Sequence, residues 1–221
     1  KMKTGLIFGK FAPLTLGHMS FIRKAAAQVD KLYVFLSFDQ KFVNQQPEWI
    51  RPKLALVPRL RDLKVSLSEF DHVDDVIVGY VDETFIPGYP KGAKLYEGLI
   101  RDALPEDVVL THAFSSEKEY DSYFSEHFPE CEHVVIDADR ADVPISATQV
   151  RQDLFNNFKM LAPAARSRFV KRVAIVGVES TGKTTMAAAL ADHFGSNWTP
   201  EIGREVCEDV FLSSEFLMER E

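Results

Sequence analysis

Three short stretches of this chain carry side chains whose types and spacing suit phosphate chemistry. The first is Gly9-Lys10-Phe11-Ala12-Pro13-Leu14-Thr15-Leu16-Gly17-His18. Gly9 and Gly17 let backbone come close to a ligand. Thr15 stands where a helix cap belongs, and the helix it would start offers free amides to an anion. His18 falls in the first turn, where its ring can donate to a phosphoryl oxygen, and Lys10 adds a positive charge. The second stretch is Ile145-Ser146-Ala147-Thr148-Gln149-Val150-Arg151, in which Ser146 and Gln149 have capping-box spacing. The hydroxyls of Ser146 and Thr148 gather there with the guanidinium of Arg151, which can grip phosphate oxygens in a fork. The third, Gly177-Val178-Glu179-Ser180-Thr181-Gly182-Lys183-Thr184, fits the pattern G-x-x-x-x-G-K-[ST] in full. Its amides would cradle phosphates, Lys183 would reach the terminal groups, and Thr184 would hold Mg2+.

These stretches need elements to present them. Short, nearly all-apolar runs at 5–8, 32–37, 76–81, 108–111 and 133–136 read as parallel strands buried on both faces. Between the first two, Met19, Ile22, Ala26 and Val29 form one helical stripe, and residues 95–104 also read as helix. Strand–helix alternation implies an α/β fold with a doubly wound parallel sheet. Ligands bind such sheets at the carboxyl ends of the strands, so the loop after Phe8 is the first place to look. Residues 38–58, with three prolines and little periodicity, read as a loop over the site. Near residues 158–168 the pattern changes, and a basic cluster of Arg166, Arg168, Lys171 and Arg172 precedes a fresh apolar strand at 173–176. The boundary is placed to give domains 1–166 and 167–221.

Composition narrows the function classes. A net charge of −7 argues against a nucleic-acid coat or an anionic membrane as partner, since both favour a basic face. An anionic substrate must then be met by a local cluster of cations. Two cysteines, Cys131 and Cys207, cannot build a disulfide framework and suit a reducing cytoplasm. The apolar run Leu6-Ile7-Phe8 is too short for a signal peptide. The six histidines show no H-x-x-x-H pairing, so metal hydrolysis carries almost no weight.

The first stretch resembles the G-x-F-x-P-x-[HT]-x-G-H signature of the nucleotidylyltransferase superfamily, and the second resembles its I-S-[TA]-[ST]-x-x-R signature. The resemblance implies a Rossmann-like nucleotidylyltransferase in which Gly9, Phe11, Thr15, Gly17, Ser146 and Thr148 bind nucleotide and phosphate, and His18, Lys10 and Arg151 serve catalysis. Many members have His where this chain has Thr15. Ile86-Pro87-Gly88-Tyr89-Pro90-Lys91-Gly92, Phe114-Ser115-Ser116-Glu117 and Asp137-Ala138-Asp139-Arg140 are similar to the NadR-type NMN adenylyltransferases, with Arg59-Leu60-Arg61 a looser match. That branch implies ATP and nicotinamide mononucleotide (NMN) as substrates, NAD as product, Mg2+ as cofactor, Arg140 at the nucleotide and Ser115 at NMN. The family often places tryptophans after the Y-P-x-G run. This chain has Ala93 and Tyr96 there, so stacking on nicotinamide falls to Tyr96, Tyr89 or Trp49.

The third stretch, with Thr185 and the later Glu201-Ile202-Gly203-Arg204-Glu205, resembles the start of the P-loop ribosylnicotinamide kinase domain that follows the adenylyltransferase in NadR-type proteins. The pairing strengthens the NMN assignment over pantetheine or cytidylyl branches. Residues 173–221 are too few for the further strands, second acidic Mg2+ residue and lid of such a kinase, so no kinase activity is expected of them alone. The expected reaction is an in-line attack of the NMN phosphate on the α-phosphorus of ATP. Another adenylyl or cytidylyl transfer, or a nucleotide-sensing role, stays open as an alternative, as does homo-oligomerisation. With the first motif beginning at Gly9, no DNA-binding module is expected ahead of it.

Overall fold

A computed structural model describes residues 2–70, 75–137 and 142–200. The chain divides into two compact units, Lys1–Val170 and Lys171–Glu221.

The first unit is built on a five-stranded parallel sheet in the order β3-β2-β1-β4-β5. Its strands are β1 (Thr4–Gly9), β2 (Lys31–Phe38), β3 (Val76–Asp82), β4 (His112–Ser115) and β5 (Glu132–Val135). The chain steps outward from β1 to β3 on one side, then crosses to β4 and β5 on the other. The order therefore reverses between β1 and β4, which is the switch point where doubly wound sheets open a crevice. Helices α1 (Leu16–Ala26), α2 (Gln40–Asn44), α3 (Leu56–Leu67), α4 (Ala93–Ala103), α5 (Asp121–His127), α6 (Ala147–Gln152), α7 (Leu154–Asn157) and α8 (Pro163–Phe169) complete the unit among the described residues.

Alternation along the strands explains why the sheet is covered on both faces. Leu32, Val34 and Leu36 of β2 join Ile7 in one buried cluster, while Tyr33 and Phe35 join Leu6 in the other. Successive side chains point to opposite faces, so an all-apolar strand needs a helical layer on each side. Met19, Ile22 and Ala25 of α1, Leu63 and Leu67 of α3 and Phe169 of α8 fill the first cluster; Ala93 and Ile100 of α4 and Tyr123 and Phe124 of α5 fill the second. In α1 the expected stripe thus runs through Ala25, with Ala26 and Val29 only partly buried against it.

Several expectations shift. The fourth strand lies at His112–Ser115, not at 108–111. The ladder begins only where the Thr111 amide donates to the Thr4 carbonyl and Thr4 N–H donates to Thr111 Oγ1, so the apolar run leads into the strand instead of forming it. Residues 38–58 are not a plain loop. Asp39 caps α2 through the Lys41 amide, and Val43, Ile50 and Leu54 anchor the segment in the core. The first unit ends at the close of α8, beyond Arg166, because Phe169 is buried in its core and Arg168 pairs with Asp62 of α3. Residues 173–176 form no strand: Val173 and Val176 are 82% and 86% exposed, and no described strand pairs with them. No helix of the described residues is long and apolar enough to cross a membrane.

Candidate active site

The loop from Gly9 to Thr15 leaves β1 at the switch point. Its Phe11 has a left-handed backbone, φ 44°, a conformation costing an L-residue about 1–2 kcal/mol. Thr15 then starts α1 with a reciprocal cap. Its hydroxyl accepts from the His18 amide at 3.3 Å, and its own amide donates to His18 Nδ1 at 3.1 Å. Histidine here takes the place usually held by Glu or Gln in a capping box. The consequence is chemical. The Thr15 hydroxyl lies 3.0 Å from the same Nδ1; in the neutral tautomer whose Nδ1 accepts the backbone N–H, the proton sits on Nε2, which makes Nε2 a donor. The Phe11 ring stands edge-on to the His18 ring, with centroids 5.2 Å apart.

The second motif meets the first directly. A Cβ placed on Gly17 would lie 3.5 Å from the Ile145 carbonyl oxygen and 3.7 Å from that of Val143. Ser146 caps α6 by the expected reciprocal bonds with Gln149. Lys24 of α1 pairs with Asp142 ahead of the motif, and Ser20 donates to the same carboxylate. Arg151 Nη1 donates to the Ala12 carbonyl and Nη2 to Thr148 Oγ1 at 3.0 Å, with its guanidinium over the Phe42 ring. Burial lowers the pKa of Arg151.

Two cavities open at this crevice. One, of about 300 Å3, is lined by Gly9, Phe11, Thr15, Gly17, His18, Ser115, Ser146 and Thr148, together with Phe8, Glu117 and Tyr120. It gathers most of the nucleotide and phosphate residues expected from the sequence. The other, of about 540 Å3, is lined by Lys10, Ser37, Asp39, Glu83, Tyr89 and Tyr96, and shares Phe8, Gly9, Glu117 and Tyr120 with the first. The carboxyl end of β1 is therefore a common wall. Within the second cavity Lys10 donates to Glu83 at 2.5 Å and lies 4.0 Å from Asp39. Tyr96 packs edge-on to Phe8 and its hydroxyl bonds Ser37; burial chiefly raises its pKa well beyond the usual phenol range. The segment from Pro87 to Gly92 closes back on itself so tightly that a Cβ at Gly92 would fall 1.8 Å from the Pro87 carbonyl oxygen.

Ser115 lines the smaller cavity with His18, while Tyr96 lines the larger one. Trp49 is 54% exposed and lines neither cavity. Tyr89 reaches the rim of the larger cavity and is mostly exposed. Arg140 lies outside the described residues. The structure adds groups that sequence motifs did not flag. Asp39 and Glu83 follow β2 and β3 directly; their place at carboxyl ends of parallel strands was the available signal. His133 of β5 links Ser115 Oγ, at 2.7 Å from Nε2, to Asp121 on Nδ1. That chain fixes the Ser115 hydroxyl at the cavity wall.

In the second unit, Gly182 takes φ 81° and opens α9 (Lys183–His193). Ser180 is also left-handed, and Lys183 Nζ and Thr181 Oγ1 both donate to the Val178 carbonyl, at 2.7 and 2.8 Å. The loop Gly177 to Thr184, with Glu179, curls around its own lysine, and Thr184 and Thr185 sit in the first turn of the helix.

The chain is similar to the trifunctional NAD biosynthesis/regulator protein NadR of Escherichia coli (strain K12), 29% identical over 207 residues that make up 93% of this chain and 50% of that protein. It thus spans about half the length of the curated relative it matches. A solved NadR protein in complex with NR aligns with a TM-score of 0.73 at 27% identity, covering 95% of this chain and 57% of that one. Another, in complex with NAD and AMP-PNP, aligns at 0.68 and 28%, covering 95% and 58%. An AAA domain model matches residues 172–217. A cytidylyltransferase-like model matches residues 6–153, which hold all but the first two residues of the parallel sheet and both phosphate motifs of the first unit, so the chain belongs to the cytidylyltransferase-like family.

Proposed function

We propose that this chain transfers the adenylyl group of MgATP to the phosphate of NMN, releasing pyrophosphate and forming NAD. The observation that carries the reading is the pair of cavities sharing the end of β1, one lined by both phosphate motifs and the other by Lys10 and Tyr96. ATP occupies the smaller cavity with its α-phosphate near His18, and NMN occupies the larger with its phosphate at Lys10. NadR relatives solved with NR and with NAD and AMP-PNP support both ligand classes.

An oxygen of the NMN phosphate attacks the α-phosphorus, and the bond to the β-phosphate's bridging oxygen breaks. A phosphate monoester has a second pKa of about 6, so the nucleophile is already dianionic at neutral pH and needs no general base. Catalysis then comes from alignment and from donors aimed at developing charge. His18 Nε2–H serves the α-phosphate. Lys10 exchanges Glu83 for the NMN phosphate. Ser146 and Thr148, the latter bonded to Arg151, meet the departing pyrophosphate. Tyr96 offers its ring to nicotinamide.

Among the described residues no group of three or more His, Cys, Asp or Glu side chains could hold a metal ion. Magnesium would be brought by the nucleotide, where it would neutralise phosphate charge. The P-loop of the second unit, with Lys183 and Thr184, belongs in this reading to a ribosylnicotinamide kinase. Pyrophosphate release from MgATP that depends on NMN tests the proposal; its absence with NMN would overturn it.

A further inference from the structure

Two arginines hold backbone carbonyls on either side of the left-handed Phe11. The Lys10 carbonyl accepts from Arg59 Nη1 at 2.8 Å, and the Ala12 carbonyl accepts from Arg151 Nη1. A peptide group is planar, so fixing the Lys10 carbonyl also fixes where the Phe11 amide points. Phe11 in turn packs against the His18 ring.

Arg59 is an unusual residue for a plain brace. It is 2% exposed, on the inner face of α3, and lines neither cavity. Its guanidinium lies over the Phe38 ring, and its Nε and Nη2 have no hydrogen-bond partner. A neutral donor such as Gln could bond the same carbonyl without burying a cation, which is costly when incompletely paired. Arg151 repels it, and Asp39 and Glu83, the carboxylates that hold Lys10, attract it. The buried charge therefore sits directly behind the loop that separates the two cavities.

We infer that Arg59 is a positioning residue of the transfer reaction: it fixes the Lys10–Phe11 peptide, and through Phe11 the His18 ring, while setting a permanent positive charge behind the phosphate loop. Burial shields that charge from screening, so it acts as part of a preorganised field. The inference rests on the adenylyl-transfer reading for its kinetic part only.

The test compares Arg59→Met, which keeps bulk, with Arg59→Lys, which keeps the charge and a donor group. Arg59→Met is expected to lower kcat about 100-fold, the scale of a misalignment near 1 Å, while KM for MgATP stays within about threefold and the melting curve shows a folded protein. Arg59→Lys is expected to recover at least about tenfold of that loss. If Arg59→Met does not fold, Arg59→Leu, which likewise offers no donor, replaces it. The amide spectrum supplies a readout independent of acceptor: a strong intraresidue HN–Hα contact marks the positive φ of Phe11. It should be present in the parent chain and in Arg59→Lys, and lost in the uncharged variant together with the MgATP-induced shift of the His18 ring. Parent-like kcat in the uncharged variant, or an unchanged Phe11 signal and His18 shift, would overturn the role of Arg59. No turnover of NMN by the parent chain would instead overturn the adenylyl-transfer reading, and the spectra would still decide the role of Arg59.

Discussion

His18 is asked to do two jobs, and substitution separates them. Its Nδ1 closes the cap of α1 by accepting the Thr15 amide, while Nε2–H is the proposed donor to the α-phosphate. In His18→Ala both are lost. Removing one donor that acts in the transition state costs about 2.7–4 kcal/mol, or about 10²–10³ in kcat. Thr15 is buried, so its stranded amide should cost about 1–3 kcal/mol of stability. For a chain of this size each kcal/mol lowers Tm by about 2–4 °C. His18→Gln should behave differently. Glutamine is a natural capping-box partner at this helix position, so its Oε1 can take the Thr15 amide and restore Tm. Its amide nitrogen does not reproduce the Nε2 direction, so kcat should stay low. Single-turnover pyrophosphate release and thermal unfolding, measured on both variants, give the answer. If His18→Gln recovers kcat along with Tm, His18 is only a cap and its place in the chemistry falls. Parent-like kcat in His18→Ala would refute it outright.

Two other expectations concern the walls of the site. Burial alone would raise the pKa of Glu97 on α4, but hydrogen bonds from Lys94, Arg101 and His127 outweigh it and hold the carboxyl down at about 2. Since the folded value is depressed, the stability it contributes is complete above the ordinary 4.5 and is lost as pH falls toward 2. The Tm gap between parent and Glu97→Gln should be widest near neutrality and shrink across that interval; a gap constant with pH would contradict the account. His133→Ala releases Ser115 from the His133–Asp121 chain and should raise KM for MgATP about two- to tenfold, the worth of one modest hydrogen bond, with kcat nearly unchanged. A fall in kcat at constant KM would assign His133 to the chemistry instead.

Much of this arrangement is legible in the sequence. Strands that are nearly all apolar announce a sheet covered on both faces, and a Gly-bearing, His-bearing loop after the first of them announces the crevice. The cap at Thr15 and the box at Ser146 follow from local spacing, because they involve neighbours three residues apart. What stayed hidden depends on contacts across the chain. Nothing near Arg59 in sequence reveals that it reaches the Lys10 carbonyl, and nothing near Glu83 reveals its bond to Lys10. The fourth strand is hard to read from sequence because His112 and Ser115 are polar, their polarity absorbed by Thr111 and His133. Trp49 suits a stacking role by residue type, and its place in the fold, 54% exposed and outside the lining of both cavities, depends on the packing of Ile50 and Leu54 beside it.

The most direct test supplies MgATP with NMN, nicotinate mononucleotide or phosphopantetheine in separate reactions and follows pyrophosphate together with the dinucleotide product. The account predicts that NMN supports turnover, yielding one NAD per pyrophosphate released, and that phosphopantetheine does not. Turnover with phosphopantetheine and none with NMN would contradict it.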